Sequence, residues 1–261
     1  MASASVAEGP PLLTRDGEGR ATITLNRARH LNRLHREDLQ ALQCHIETLA
    51  ADSKLRVVVL TGSGRAFCAG FNLNELQQPG SEASDPQLFE RSVDALEALP
   101  VPTIACLNGS VFGGATDLAL ACDFRVGVAG MELRMPAARL GLHYYPSGLQ
   151  RYVSRLGLCA AKRLFLLAET VSADELLQMG YLDVLAPADG LDPAVEQIAQ
   201  SLLQGAPLAL RGMKSALNEI ARGQVDAPQL RQRMQACADS ADLREGLAAF
   251  AERRAPRFSG R

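Results

Sequence analysis

The stretch VVVLTGSGRAFCAGFNLNEL, residues 57–76, decides the fold. Val57 to Leu60 is an unbroken apolar run closed by the turn Gly62-Ser63-Gly64, which predicts a short, fully buried strand. A second corner follows at Ala69-Gly70-Phe71. The glycines do not fit G-x-G-x-x-G, because Phe67 stands where the third would be, and this argues against a dinucleotide-binding fold.

Working outward, the same strand–helix alternation recurs. Upstream, Ala21, Ile23 and Leu25 in GRATITLNR alternate with polar residues and predict a strand. The segment 36–55 places Leu39, Leu42, Ile46 and Leu49 at helical spacing, with acids at its start. Downstream, DPQLFERSVDALEAL (85–99) predicts a helix stopped by Pro100 and Pro102. TIACLNG (103–109) predicts a strand, FGGATDLALACD (112–123) a glycine turn opening an apolar helix, and DFRVGVA (123–129) another strand. This order predicts an α/β fold with largely parallel pairing. From about Pro193 the pattern is helical to the end. The expected division is therefore a core over residues 1–192 and a helical region over 193–261.

Bulk properties narrow the function. With 47% hydrophobic residues and a net charge of −2, nothing attracts nucleic acid or a membrane surface by charge. No apolar run reaches the ~18 residues of a membrane span, and the N-terminus lacks the charged and apolar regions of a signal peptide. A cytoplasmic location is the expectation. The six cysteines are scattered without a C-x-x-C pair and predict reduced thiols. The four histidines form no metal-ligand pattern, and G-x-S-x-G, Walker and H-E-x-x-H motifs are absent from the sequence.

Two glycine turns remain, GSGRAFCAGF and LNGSVFGGATD. Glycine lets a ligand approach backbone N–H groups closely, and two such groups from separate turns would stabilise an oxyanion. Spacing alone is equally compatible with two tight connections.

Several segments together carry a family likeness: ITLNRARHLNRL, VVVLTGSGRAFCAGFNLNEL, VPTIACLNGSVFGGATDLALACDFRVG, LGLHYYPSGLQRYVSRLG, GYLDVLAP and AFAERRAPRF. Through them the chain resembles the crotonase (enoyl-CoA hydratase/isomerase) superfamily along nearly its whole length. The resemblance implies a spiral of ββα units with a C-terminal helical trimerisation region. It also implies an acyl-CoA thioester substrate whose enolate is held by two backbone N–H groups. By motif position these fall on Phe71 and Gly114, with CoA contacts at Arg29, Ala69 and Phe71. A homotrimer or dimer of trimers is implied. No metal or redox cofactor is implied, and CoA enters as part of the substrate.

The reaction is where this sequence departs from the pattern. Hydratases of this family use two glutamates on one water; here the first position is Asp117 and the second, in MPAARLG, is Ala137. Asp117 is open to two readings, a shortened catalytic acid reaching through a water or a first-turn acid answering the helix dipole. Efficient hydration is not expected with Ala137 in place. Decarboxylation, isomerisation, thioester hydrolysis or acyl-CoA binding without turnover are the alternatives. The loop HYYPSG offers His143 and Tyr144 as replacement groups, Tyr144 matching a pocket tyrosine of the methylmalonyl-CoA decarboxylase branch. Both residues equally suit packing. Arg139 is either an anchor for a malonyl-type carboxylate or a surface residue.

Overall fold

The computed structural model describes residues 7–77, 85 and 87–261. In chain order the elements are β1 (Leu12–Arg15), β2 (Arg20–Leu25), α1 (Arg36–Ala50), β3 (Val57–Gly62), α2 (Leu88–Glu97) and β4 (Thr103–Leu107). There follow β5 (Val111–Phe112), α3 (Ala115–Leu120), β6 (Phe124–Val128), β7 (Glu132–Arg134), α4 (Pro146–Lys162), β8 (Thr170–Ser172), α5 (Ala173–Gln178) and β9 (Val184–Ala186). Four helices close the chain: α6 (Leu191–Leu203), α7 (Pro207–Ala221), α8 (Ala227–Ala238) and α9 (Ala241–Glu252).

Six strands form one sheet in the order β1-β2-β3-β4-β6-β9, antiparallel only between β1 and β2. The run at 57–60 is apolar throughout because both faces of this sheet are covered. Val58 and Leu60 turn toward the main core, where Leu39, Leu42, Ile46 and Leu49 of α1 meet Val93 and Leu96 of α2. Val57 and Val59 turn the opposite way, with Ile104 and Val126, onto Leu191, Val195 and Ala199 of α6. The two-residue period of the strand thus feeds two layers at once. Burial of each such leucine or valine stabilises the fold by about 1.5–3 kcal/mol.

A second, three-stranded sheet, β5-β7-β8, stands beside the first. Two isolated parallel bridges among the described residues, Leu34 with Phe71 and Cys68 with Val111, stitch the turn after β3 to the segment ahead of α1 on one side and to β5 on the other. These bridges bring the two glycine turns of the sequence together.

Three details differ from the sequence expectations. The helix expected over 85–99 begins at Leu88, with Asp85 ahead of it. The loop expected through Ser147 ends at Pro146, whose fixed φ suits the first turn of α4. The division expected after residue 192 runs through the first turn of α6, which covers the sheet and is part of its packing. Beyond it, Lys214 of α7 anchors to the core through Asp123 (2.7 Å) and the Val101 carbonyl (2.8 Å). Helices α7, α8 and α9 leave large apolar side chains on the surface, Phe250 at 87% exposure among them. Among the described residues no helix is long and apolar enough to cross a membrane, and no cluster of side chains suits a metal ion.

Candidate active site

The turn after β3 is held open by its own bridge. Leu34 N–H donates to the Gly70 carbonyl (2.8 Å) and Asn72 N–H to the Leu34 carbonyl (2.9 Å). A parallel bridge uses the groups on either side of its central residue, so the Phe71 N–H points the other way, and it has no acceptor among the described residues. The Gly114 N–H, at the start of α3, likewise has none. Gly70, at φ +88°, lies so close to the other turn that a Cβ there would stand 2.6 Å from the Phe112 oxygen and 3.4 Å from the Gly114 nitrogen. Only glycine permits this approach. The turns meet, and both amides border one cavity of about 590 Å³.

Ala69, Gly70, Phe71, Gly113 and Gly114 line that cavity on one side, and Met135, Pro136, Ala137, His143, Tyr144 and Tyr145 on another. Its walls are largely apolar. Phe89 of α2 lies directly over Gly114, where a Cβ would meet its ring at 2.6 Å. Phe89 also makes edge contacts with Phe71 and Tyr145, at centroid separations of 6.2 and 6.1 Å. Among the described residues two carboxylates reach the cavity, and both are engaged. Glu75 accepts from Arg36 N–H (2.9 Å) and pairs with His35 Nδ1 (2.8 Å); Asp85 is bound by Arg91.

Asp117 is not in the cavity wall. It is fully buried behind the tyrosines, and its Oδ2 accepts from the Tyr145 hydroxyl and from Arg151 Nη1 (2.7 Å). Its Oδ1 has no partner among the described residues. Burial raises the Asp117 carboxyl above the usual carboxylate range, against the opposing pull of Arg151 and the Tyr145 hydrogen bond. Tyr144 and Tyr145 stack with centroids 4.3 Å apart, and the Tyr144 hydroxyl lies 3.4 Å from that of Tyr145. Burial first, then the Asp117 charge, raises both phenols far above their ordinary range, so both are neutral. The pair fits because Gly148 sits beneath it; a Cβ there would be 2.4 Å from Tyr144 Cε1 and 2.8 Å from Asp117 Oδ2.

The remaining expected residues fall as follows. His143 borders the cavity, its Nδ1 2.8 Å from the Tyr144 carbonyl oxygen. Ala69 borders it as well, its N–H held by the Leu31 carbonyl (2.8 Å). Arg29 is exposed on the turn 28–30, outside the cavity lining, its N–H donating to Glu8. Arg139 turns to the surface and donates to the Leu167 carbonyl at 3.2 Å, away from the cavity; it is not an anchor within it. Sequence reasoning missed Arg151, Phe89 and Glu97. The only local signal was the acid pair Asp94 and Glu97 on one helix face, which called for a cation the sequence alone did not identify.

Two backbone N–H groups without partners among the described residues thus border one mostly apolar cavity on this two-sheet frame, an arrangement able to stabilise negative charge on a bound oxygen. The family model described as enoyl-CoA hydratase/isomerase matches residues 15–261, and the chain belongs to that family. Among its relatives is the Bacillus subtilis protein YngF, 35% identical over 259 residues that cover 95% of this chain and 98% of that one. The 2,3-dehydroadipyl-CoA hydratase of Escherichia coli is 33% identical over 92% of this chain and 94% of its own. The crystal structure of an enoyl-CoA hydratase from Bacillus anthracis superposes with a TM-score of 0.89 at 30% identity, covering 97% of this chain and all of that one. The fold is the crotonase-like α/β fold with two sheets and C-terminal helices.

Proposed function

We propose that the protein moves a proton on the acyl chain of a CoA thioester, with the Phe71 and Gly114 amides holding the enolate oxygen. The observation that carries this is the chain of hydroxyls from the cavity to Asp117. The Cα–H electron pair passes into the enolate, and the proton goes to the Tyr144 oxygen. Tyr144 gives its own proton to Tyr145, and Tyr145 gives its own to Asp117 Oδ2. One proton has then moved from carbon to the buried carboxylate, and neither phenol carries charge at the end. Reversal at Cα gives exchange; reversal at Cγ gives isomerisation. His143 fixes the loop through the Tyr144 carbonyl. Ala69 and Phe71 meet the thioester end, and Arg29 is the contact for the CoA phosphates.

Hydration is not the main activity on this reading, since Ala137 offers nothing to hold a second proton on the attacking water. The exposed apolar faces of α7 and α9 support a trimer or a dimer of trimers, which light scattering tests. The reaction is tested by incubating butyryl-CoA in D₂O and following loss of the Cα proton signal. Exchange is expected, reduced about a hundredfold in Y144F and D117N. Rapid crotonyl-CoA hydration that survives both substitutions would overturn the reading.

A second reading rests on the neutrality of the two phenols. Loss of CO₂ from a malonyl-type thioester generates the same enolate without any base; Tyr144 then gives its proton to Cα and takes one back from solvent, which supplies the proton the reaction consumes. Release of CO₂ from methylmalonyl-CoA separates this reading from the first.

A further inference from the structure

Arg151, on the second turn of α4, is the most heavily committed side chain behind the cavity. It is 1% exposed and touches three carboxylates: Asp117 through Nη1 (2.7 Å), Glu97 through Nε (2.9 Å) and Asp94 through Nη2 (2.6 Å). Among the described residues it is the one cation bonded to Asp117. Glu97 is in turn held by Arg155 (2.9 Å) and by Arg222, so the network continues from buried Asp117 to the partly exposed Arg222.

A buried carboxyl without a cation takes up a proton, because the low-dielectric interior penalises its charge. A neutral Asp117 would have a hydrogen to give, and its bond with Tyr145 would no longer be held to one direction. As a carboxylate it can only accept, and so Tyr145 must donate to it and present its lone pairs to Tyr144. The direction of the whole chain is therefore decided at one residue. The groups facing Asp117 are Glu97 from α2, Arg151 and Tyr152 from α4, Tyr144 and Tyr145 from the loop before it, and Tyr181. Of these Arg151 alone is cationic.

We propose that Arg151 is a positioning residue that sets the polarity of the Tyr144–Tyr145–Asp117 chain, holding Asp117 as an acceptor so that protons run from the cavity toward it. The inference rests on the proton-transfer reading above, but its first test does not need turnover. In free protein carrying ¹³Cζ-tyrosine, the Tyr145 resonance, assigned with Y145F, reports whether its hydroxyl donates to a carboxylate. R151M is expected to shift that resonance toward the position of a phenol without an anionic acceptor, with Tyr144 following it and Tyr181, outside the chain, little changed. In the exchange assay R151M is expected to lower kcat about a hundredfold at neutral pH with KM little changed. The acid limb of its rate profile is expected to move to higher pH by at least one unit, since losing the cation raises the pKa of the base. R151K, which keeps the charge, is expected to restore most of the rate and the original limb; it supplies the comparison if R151M does not fold. A Tyr145 resonance and acid limb unchanged in the folded variant would overturn the proposal, leaving Arg151 a packing element. A resonance that shifts in a protein with no exchange activity supports the role of Arg151 and refutes the reaction instead.

Discussion

Gly70 and Gly114 come from turns on different sheets, yet a single added methyl on the first would reach 3.4 Å from the nitrogen of the second. The same methyl would strike the Phe112 carbonyl at 2.6 Å, which is backbone and has no rotamer to yield. Gly70→Ala is therefore expected to push the turns apart. A fall in kcat of about 10²–10³ is the expected result, the scale for losing one oxyanion donor. Steady-state kinetics on the folded variant check it.

Gly114 presents the opposite case. Its missing Cβ faces the ring of Phe89, a side chain that can turn away. Gly114→Ala is expected to reduce activity, and Phe89→Ala in the same chain to recover at least tenfold of it. Phe89→Ala alone is expected to widen the cavity above Gly114 and shift preference toward bulkier acyl groups. Competition between two acyl-CoA thioesters reads that shift directly.

Ala137 is nearly buried at the cavity wall. Ala137→Glu restores a carboxylate at the position where hydratases of the family carry one. Crotonyl-CoA hydration is expected to rise by about tenfold or more, with a loss of thermal stability from burying the new acid. No gain in hydration would show that Tyr144 and Tyr145 already exclude the water.

Glu97 sets part of the acid stability. Burial opposes its charge, but Arg151, Arg222 and Arg155 outweigh this and hold its carboxyl at about 2. The folded pKa is depressed, so its contribution is complete above the unfolded value near 4.5 and is lost as pH falls toward 2. The amount is on the order of 3 kcal/mol. Denaturant unfolding from pH 6 to 2 should show a steeper fall for the wild type than for Glu97→Gln.

Burial pushes the thiols of Cys68 and Cys122 to about 12. A disulfide reagent at pH 8 should leave both unlabelled in native protein while reacting with exposed Cys44. Both should react at once on unfolding. Peptide mapping after labelling makes the assignment.

Much of this molecule is legible in the chain because its logic is local. The apolar run at 57–60 and the alternation at Ala21, Ile23 and Leu25 follow from layers that cover the sheet, and their period is written in the residues themselves. The glycine turns are legible for the same reason, since a position that tolerates only glycine records a close approach. What the sequence does not reveal is where side chains from distant segments meet. Nothing near Asp117 says that Arg151, thirty-four residues later, takes its Oδ2, or that Tyr145 lies between it and the cavity. Arg151 is a helix arginine like any other until α2 presents Asp94 and Glu97 to it. Arg139, closer in sequence to the site, turns out to face the surface.

The bridges at Leu34–Phe71 and Cys68–Val111 bring main-chain N–H groups together, while the proton-handling groups of the proposed reaction hang from α3, α4 and the loop between β7 and α4 as replaceable side chains. The two parts of the proposed chemistry thus rest on different kinds of atoms. On the proposed reading, a substitution at 117, 137, 144 or 145 would alter the proton transfer and leave the main-chain site for the thioester oxygen in place. On that reading the fold is a chassis on which new activities begin with thioester binding already in place.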